Sequence, residues 1–392
     1  MSIRESIYLD YQATTPVDKR VFDAMLPYFM DSFGNSSSSS HIFGWEANKA
    51  VEIARKQVAD VINTKTKNIV FTSGATESNN LAIKGVANYN KDVTKNVIIT
   101  AKTEHKCVLN SVKDCQNYKQ IYLDVDKDGF IKLDELEKLL SKKDVLLVSI
   151  MGVNNEIGTI QPQREIGALC HKYGAIYHTD CAQAFGKIKI DVEKDNIDLM
   201  SISGHKIYGP KGIGAIYVSP AVKLKPILSG GGQERNIRSG TLAVEMIVGL
   251  GKAAELMQQD FDKDTKHTKD LFDTIYDGMM RIPQVYLNGS KEKRWFGNSN
   301  YSFAGIEGES IMLRCQEFAV SSGSACTSND LKSSYVIEAL GGDPELAHSS
   351  IRIGVGRLTK KSDVELLVKR FQEEVPYLRN MSPLWEQMQM KK

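Results

Sequence analysis

Between residues 46 and 220 the chain alternates two hydrophobic periods. Ala47, Ala50, Val51, Ala54, Val58, Val61 and Ile62 recur at spacings of three and four, which predicts an amphipathic helix. Short β-rich runs follow at 68–74 (NIVFTSG), 96–101 (NVIITA), 145–153 (VLLVSIMGV), 175–180 (AIYHTD), 199–204 (LMSISG) and 214–219 (GAIYVS). These runs are nearly continuous in apolar residues and are separated by helical stretches. Strands of that kind are buried on both faces, so the pattern predicts an α/β fold with a largely parallel sheet between helices. From about residue 260 a long polar helix is followed by less regular alternation, which predicts a smaller α+β domain.

Ligands of such sheets gather at the carboxyl ends of the strands. The polar residues fall there. Ser73, Gly74, Ala75 and Thr76 follow the first run, His105 the second, and Asn154 and Asn155 the third; Asp180 ends the fourth, and His205 and Lys206 end the fifth. SGATESNN opens a helix with small residues whose backbone N–H groups suit a phosphate; capping of that helix by the Thr76 side chain is the alternative. In SGHKIYGPKG, Lys206 emerges from the apolar run LMSIS, where desolvation favours a free amine suited to Schiff-base chemistry. Asp180 supplies a carboxylate for a pyridinium nitrogen, and His105 can lie over a planar ring and move protons. Phosphate cup, lysine, aspartate and histidine together describe a pyridoxal phosphate site.

Composition narrows the partners. Fifty Lys and Arg against 48 Asp and Glu leave a formal charge of +2 over 392 residues, with no long basic run, so a small ligand is expected rather than nucleic acid or a membrane surface. Six cysteines without a CxxC pair point to a reducing compartment, and neither a leader nor an 18-residue apolar window is evident, so a cytoplasmic protein is expected. One of the six, Cys326, sits in SSGSACTSND, where small residues promise an exposed thiol. A glycine- and serine-rich linker that happens to contain a cysteine fits the same residues.

Nine segments in order resemble the cysteine desulfurases of the iron–sulfur cluster assembly type (NifS/IscS-like): YLDYQATTP (8–16), FTSGATESNN (71–80), TEHKCV (103–108), VNNEIG (153–158), HTDCAQ (178–183), SGHKIYGPKG (203–212), GGGQERNIRSGT (230–241), SSGSACTS (321–328) and SSIRIGVGR (349–357). The resemblance runs end to end. It implies a fold type I enzyme of the class V aminotransferase family, with a large domain over 16–260 holding a mostly parallel seven-stranded sheet. Residues 1–15 and 261–392 would form the small domain, with a catalytic-cysteine loop at about 321–335. It implies that Lys206 holds pyridoxal phosphate covalently, that Asp180 pairs with the ring nitrogen, and that Asn155 and Gln183 bond the ring hydroxyl. Ala75, Thr76, Ser203 and His205 would bind the phosphate, and Thr241 would reach the phosphate of the neighbouring subunit of a homodimer. His105 would stack on the ring and shuttle protons, and Arg352, with Asn155, would bind the substrate carboxylate. Cys326 would take sulfur from L-cysteine as a persulfide, leaving L-alanine. It would then pass the sulfur to an IscU-like scaffold and other acceptors, for cluster assembly and tRNA thiolation, with Cys326 a transient ligand of the 2Fe-2S cargo. Ser36 stands where the family usually has proline, and Cys181 beside Asp180 is expected to be a packing residue.

Three other readings compete. DVDKDGFIKLDE (124–135) matches an EF-hand calcium loop at Asp124, Asp126, Asp128, Gly129, Ile131 and Glu135, but YKQIYLD before it is β-like. Transamination would use the same lysine, aspartate and phosphate cup; only the Cys326 segment separates it. In MSPLWEQMQMKK, an exposed Met381, Leu384 and Trp385 would either cap the small domain or, as the resemblance implies, dock the scaffold.

Overall fold

The structure, a computed structural model, describes residues 6–322, 333–341 and 343–390. The helix at Ile42–Val61 buries Ala47, Ala50, Val51, Ala54 and Val58 on one side, as its spacing predicts. The predicted runs become strands β2 (Ile69–Thr72), β3 (Val97–Ala101), β5 (Val145–Ser149), β6 (Ile176–Asp180), β7 (Leu199–Ser203) and β8 (Gly214–Val218). With β4 (Lys119–Leu123) they form one seven-stranded sheet in the order β2-β8-β7-β6-β5-β3-β4. The pairs from β7 to β4 are parallel, while β8 is antiparallel to both its neighbours. Five of the seven strands, β2, β3, β5, β7 and β8, are buried at every residue, and apolar clusters lie on both faces of the sheet, as continuous apolar runs require. Beneath the site, His178 bonds Ser149 Oγ at 2.8 Å and Ser201 Oγ at 3.0 Å, tying β5, β6 and β7 together through side chains.

A smaller sheet, in the order β12-β13-β10-β9, joins β9 (Val285–Leu287), β10 (Asn298–Phe303), β12 (Ser321–Ser322) and β13 (Ser350–Gly354), all antiparallel. It packs with helices Phe261–Met279 and Lys361–Asn380 around a core that includes Leu271, Tyr301, Phe303, Ile353 and Phe371. A two-stranded ladder of β1 (Ile7–Tyr8) with β11 (Phe318–Ala319) carries the start of the chain onto this part. The EF-hand match lies in a different setting. Strand β4 precedes it, Asp126 Oδ1 accepts from the backbone N–H of Asp128 and Phe130, Asp124 pairs with Lys102 at 2.5 Å, and Val125 bridges Ile131. The segment is a strand, a tight turn and a helix (Leu133–Leu140), not a helix–loop–helix.

One ion pair is both buried and bidentate. Arg55 donates to Glu234 at 2.7 Å through each terminal nitrogen, and Glu234 Oε2 also accepts from Phe71 N at 2.7 Å, so a charge pair grips β2 just before the turn at Gly74. Removing one member of such a pair strands the other in an apolar setting. Arg55→Met is expected to lower unfolding stability by about 3–5 kcal/mol, read as a denaturant midpoint. Lys56→Met, which breaks the exposed pair with Asp60, should change it by less than about 1 kcal/mol. Equal small effects would show that Arg55 does not hold the strand.

Candidate active site

The carboxyl ends of β2, β3, β5, β6 and β7 open into a cavity of about 470 Å³. It collects ten residues named from the sequence: Ala75, Thr76, His105, Asn155, Asp180, Gln183, Ser203, His205, Lys206 and Arg352. Thr241 is exposed and outside it, and Cys326 lies outside the described residues.

At the phosphate end, Gly74 precedes the helix Ala75–Tyr89, and no side chain caps its first turn, so capping by Thr76 is not what the residues do. Gly74 has φ +150°, and nothing approaches within 4 Å of where its Cβ would stand, which leaves the helix N-terminus open to the cavity. Gly214 on β8 must also be glycine, since a Cβ there would lie 2.6 Å from Gly74 Cα. Ser203 and His205 close this end. Burial, helped by the charges of Lys206, Lys211 and Lys187, pushes His205 down to about 4, so its imidazole is neutral at pH 7.

In the centre, Lys206 Nζ donates to the carbonyls of Gln12 at 2.6 Å and Ala13 at 2.7 Å. Asp180 Oδ2 accepts from Asn79 Nδ2 at 2.7 Å and its Oδ1 from Ala182 N at 2.9 Å, so both oxygens are fixed. His105 caps the helix Lys106–Lys113. Its Nδ1 accepts from Cys107 N at 3.2 Å and lies 3.0 Å from Cys107 Sγ. Burial lowers its pKa, with Lys206 and Lys106 acting in the same direction and Asp180 against them. With Nδ1 accepting, the neutral ring carries its hydrogen on Nε2.

At the far end Arg352, on β13, donates to Asp10 Oδ1 at 2.8 Å and to Asn155 O at 3.1 Å, while its Nε has no partner among the described residues. Asn155 Oδ1 and Gln12 Oε1 are likewise buried without partners, and all three residues line the cavity. Buried polar atoms are normally satisfied. Two unpaired acceptors, an unpaired guanidinium N–H, a lysine amine and an open helix N-terminus form the donor and acceptor set that a phosphorylated pyridine and an amino-acid carboxylate require. The residues fit that cofactor.

Sequence reasoning missed four residues. Gln12 and Cys107 also line the cavity. Glu104 is fully buried, its Oε2 has no partner among the described residues, and its Oε1 accepts from Met151 N at 2.7 Å; burial, reinforced by Asp180, holds its carboxyl well above the usual carboxylate range. Glu156 accepts from Ser334 Oγ at 2.6 Å, and burial pushes it up to about 7 against the pull of Ser334 and Arg352. The presence of all four in segments already quoted (YLDYQATTP, TEHKCV, VNNEIG) was the available signal.

The fold and the cavity define a pyridoxal phosphate enzyme of the aminotransferase type. The chain belongs to the class V aminotransferase family, whose model matches residues 7–367. Within it the chain groups with the cysteine desulfurases. It is 54% identical over 388 residues to "Cysteine desulfurase IscS" of Rickettsia bellii (strain OSU 85-389), covering 98% of this chain and 94% of that protein. Among solved structures, a "NIFS-LIKE PROTEIN" is 35% identical with a TM-score of 0.88, covering 95% of this chain and 100% of that one. "SspA in complex with cysteine" is 36% identical with a TM-score of 0.80, covering 89% and 99%.

The raised Glu156 has a consequence for stability. An unfolded glutamate releases its proton near 4.5, whereas folded Glu156 keeps it until about 7, so the stability that its protonation confers is complete below 4.5 and is lost as pH rises to 7. Glu156→Gln should flatten the fall in unfolding stability between pH 4.5 and 8, by up to about 3 kcal/mol. Parallel pH profiles for the two proteins would show that Glu156 does not carry this proton.

Proposed function

We propose that this cavity removes sulfur from L-cysteine, releasing L-alanine and leaving the sulfur as a persulfide on Cys326. In balance, the C–S bond of the substrate breaks, an S–S bond forms at Cys326, and the hydrogen of one thiol and the Cα hydrogen are redistributed to the alanine methyl and Cα. The observation that carries the reading is where the ends of the Cys326 segment are held. Ser321 on β12 is in register with Arg352 on β13; Ser334 is bonded to Glu156, and Tyr335 Oη donates to Glu104 O at 2.8 Å. Both flanks are tied to residues of the cavity or beside it.

Bound pyridoxal phosphate supplies the electron sink that makes the substrate's Cα–H acidic. Lys206 holds the cofactor and, when free, takes and returns the Cα proton at Nζ. Asp180, fixed at both oxygens, keeps the ring nitrogen protonated. Ala75, Thr76, Ser203 and His205 bind the phosphate, the last as a neutral N–H donor. Asn155 and Gln183 bond the ring hydroxyl. Arg352 offers its unpaired Nε to the substrate carboxylate, with Asn155 beside it, and Asp10 holds the guanidinium in place. His105 delivers a proton from Nε2. Thr241 serves the phosphate of a partner subunit, and its exposure outside the cavity accords with that. The same reading divides the chain into 16–260 and 1–15 with 261–392.

Dimerisation has a surface to support it. Phe22, Leu26, Phe29, Met30, Phe33, Ile42, Phe43 and Trp45, from neighbouring segments near the start of the chain, are each at least 41% exposed, and a second copy of this chain covers them. Sedimentation should give twice the chain mass of 43.6 kDa; a particle of 43.6 kDa at micromolar concentration would exclude the shared site. The compartment is proposed as cytoplasmic, and among the described residues no helix is long and apolar enough to cross a membrane.

The sulfur acceptors are an IscU-like scaffold and others, serving cluster assembly and tRNA thiolation, with Cys326 a passing ligand of the 2Fe-2S cargo. The C-terminal helix Pro383–Met390 is the docking element. Met381 is exposed there, but Leu384 and Trp385, expected to be exposed, are half-buried: Trp385 lies 4.2 Å from the Arg379 guanidinium and packs on Gly305. With L-cysteine and a thiol reductant, the cofactor-loaded protein should release alanine and sulfide in equal amounts. Cys326→Ser should keep the cofactor's visible absorption and release neither. A keto acid without matching alanine would make the reaction a transamination. Radiolabelled sulfur should reach Cys326 first and then an added scaffold, more slowly in a chain lacking residues 381–392.

A further inference from the structure

Behind the cavity sits a lysine that the reaction does not use. Lys187 is buried, 6% exposed, on the turn that leads away from Asp180 and Gln183. Its Nζ makes one hydrogen bond, to Gln183 Oε1 at 2.8 Å, and the Trp295 ring lies 6.0 Å away. Among the described residues no carboxylate pairs with it, and a buried ammonium without a counter-charge is costly. Burial and the charge of Lys206 push it down to about 7, and it acts in turn on His205. Lys206 and His205 are the ionisable groups that act on it or feel it across the cavity floor.

What this lysine does follows from the amide it touches. A glutamine amide can flip, exchanging its oxygen and nitrogen, and only its neighbours decide which way it stands. Here the neighbours have opposite polarity. Below pH 7, where it is an ammonium, Lys187 can only donate and so demands Oε1. A carbonyl can only accept, and Gln12 O takes a hydrogen from Gln183 Nε2 at 2.9 Å. Gln12 O also accepts from Lys206 Nζ, so the chain Lys187, Gln183, Gln12 carbonyl and Lys206 runs unbroken under the cavity. Of the two Nε2 hydrogens one is thus committed, and the other is left to Gln183's position in the cavity wall.

We infer that Lys187 is a positioning residue for the cofactor: by holding Gln183 Oε1 it locks the amide so that Nε2 presents an N–H to the ring hydroxyl oxygen in its anionic form. This rests on the reading of Gln183 as a ligand of that hydroxyl. A donor to the anionic oxygen spreads its charge and weakens its hold on the neighbouring Schiff-base proton, so the cofactor on Lys206 titrates at lower pH than it would without the lock.

The test compares the pH midpoint of the bound cofactor's visible absorption in the holoenzyme and in Lys187→Met, Lys187→Arg, Gln183→Ala and the Lys187→Met/Gln183→Ala double variant. Equilibrium dialysis of pyridoxal phosphate and a thermal melt accompany each. Lys187→Met should raise the midpoint by about one unit and weaken cofactor binding about tenfold. Lys187→Arg, still a donor, should restore most of both, and the double variant should go no further than Gln183→Ala alone. If Gln183→Ala shifts the midpoint and Lys187→Met does not, the lock is refuted while the role of Gln183 stands. If Gln183→Ala shifts nothing, the role of Gln183 itself fails, and the lock with it. A Lys187→Met variant with a lowered melt and an unmoved midpoint shows a packing residue and refutes the inference.

Discussion

Parallel pairing from β7 through β6, β5 and β3 to β4 is the constraint on which the rest depends. Parallel neighbours must all leave the sheet at the same edge, so the residues after β3, β5, β6 and β7 meet there whatever the intervening helices do. His105, Asn155, Asp180 and Lys206 are separated by up to 101 residues in sequence and share one cavity for that reason. The single reversal, β8, brings Gly214 beside Gly74 at the same edge, where two backbones approach too closely for a side chain. The end of the cavity at the Ala75 helix thus has a backbone floor beside the Ser203 and His205 side chains, while its centre is lined by side chains.

Charge around this edge is sorted by burial. Glu104, Glu156 and His205 are all pushed toward their neutral forms by desolvation, so they hold hydrogen-bond geometry without adding charge to the cavity. Buried arginines take two kinds of partner: Arg55 has Glu234 and Arg352 has Asp10, whereas Arg294 and Arg379 donate to backbone carbonyls. The partly buried Arg357 is held by Asp18 and Asp264 at 2.7 Å each. Arg357 also lies over the Tyr208 ring, two residues past Lys206, so the pair network reaches the lysine-bearing turn from the C-terminal part of the chain. Lys187, like Arg294 and Arg379, is answered by an uncharged oxygen.

The large sheet was legible because its strands are buried on both faces and therefore read as apolar runs. Strand β10 was not, for the opposite reason: NSNYSF is mostly polar yet buried at every residue. Some of its polar groups are answered inside the fold, Asn300 Oδ1 by Asn288 Nδ2 at 2.7 Å and Ser302 Oγ by Leu346 O at 2.8 Å, while Asn298 Oδ1, Asn300 Nδ2 and Tyr301 Oη have no partner among the described residues; with so many polar positions inside, no hydrophobic alternation marks it. The same logic hid Glu104, Glu156 and Lys187. In a sequence a charged residue reads as a solvated face, and only the fold shows that these three are enclosed. As candidates, Ala75, Thr76, His105, Asn155, Asp180, His205 and Lys206 were legible because each ends or follows an apolar run, whereas Gln183, Ser203, Thr241 and Arg352 were readable from resemblance alone, Arg352 because it lies mid-strand on β13. The calcium-loop pattern, set aside from the sequence because the run before it is β-like, has a structural account, since spaced aspartates equally serve a turn in which Asp126 caps two backbone amides.

The two sheets divide the reaction between them. In the proposed reading the seven-stranded sheet would supply what a bound cofactor needs, the phosphate cup, Asp180, Gln183 and Lys206, on elements held by continuous ladders and by the His178 cross-link. The small sheet would supply Arg352, and the neighbouring strand β12 leads toward the Cys326 segment, with Ser321 in register with Arg352 itself. One antiparallel ladder therefore links the group that would grip the substrate carboxylate to the chain that carries the thiol. A substitution that shifts β12 against β13 would disturb substrate recognition and sulfur acceptance together while leaving the cofactor end intact. That coupling is a property of the ladder and not of either residue alone.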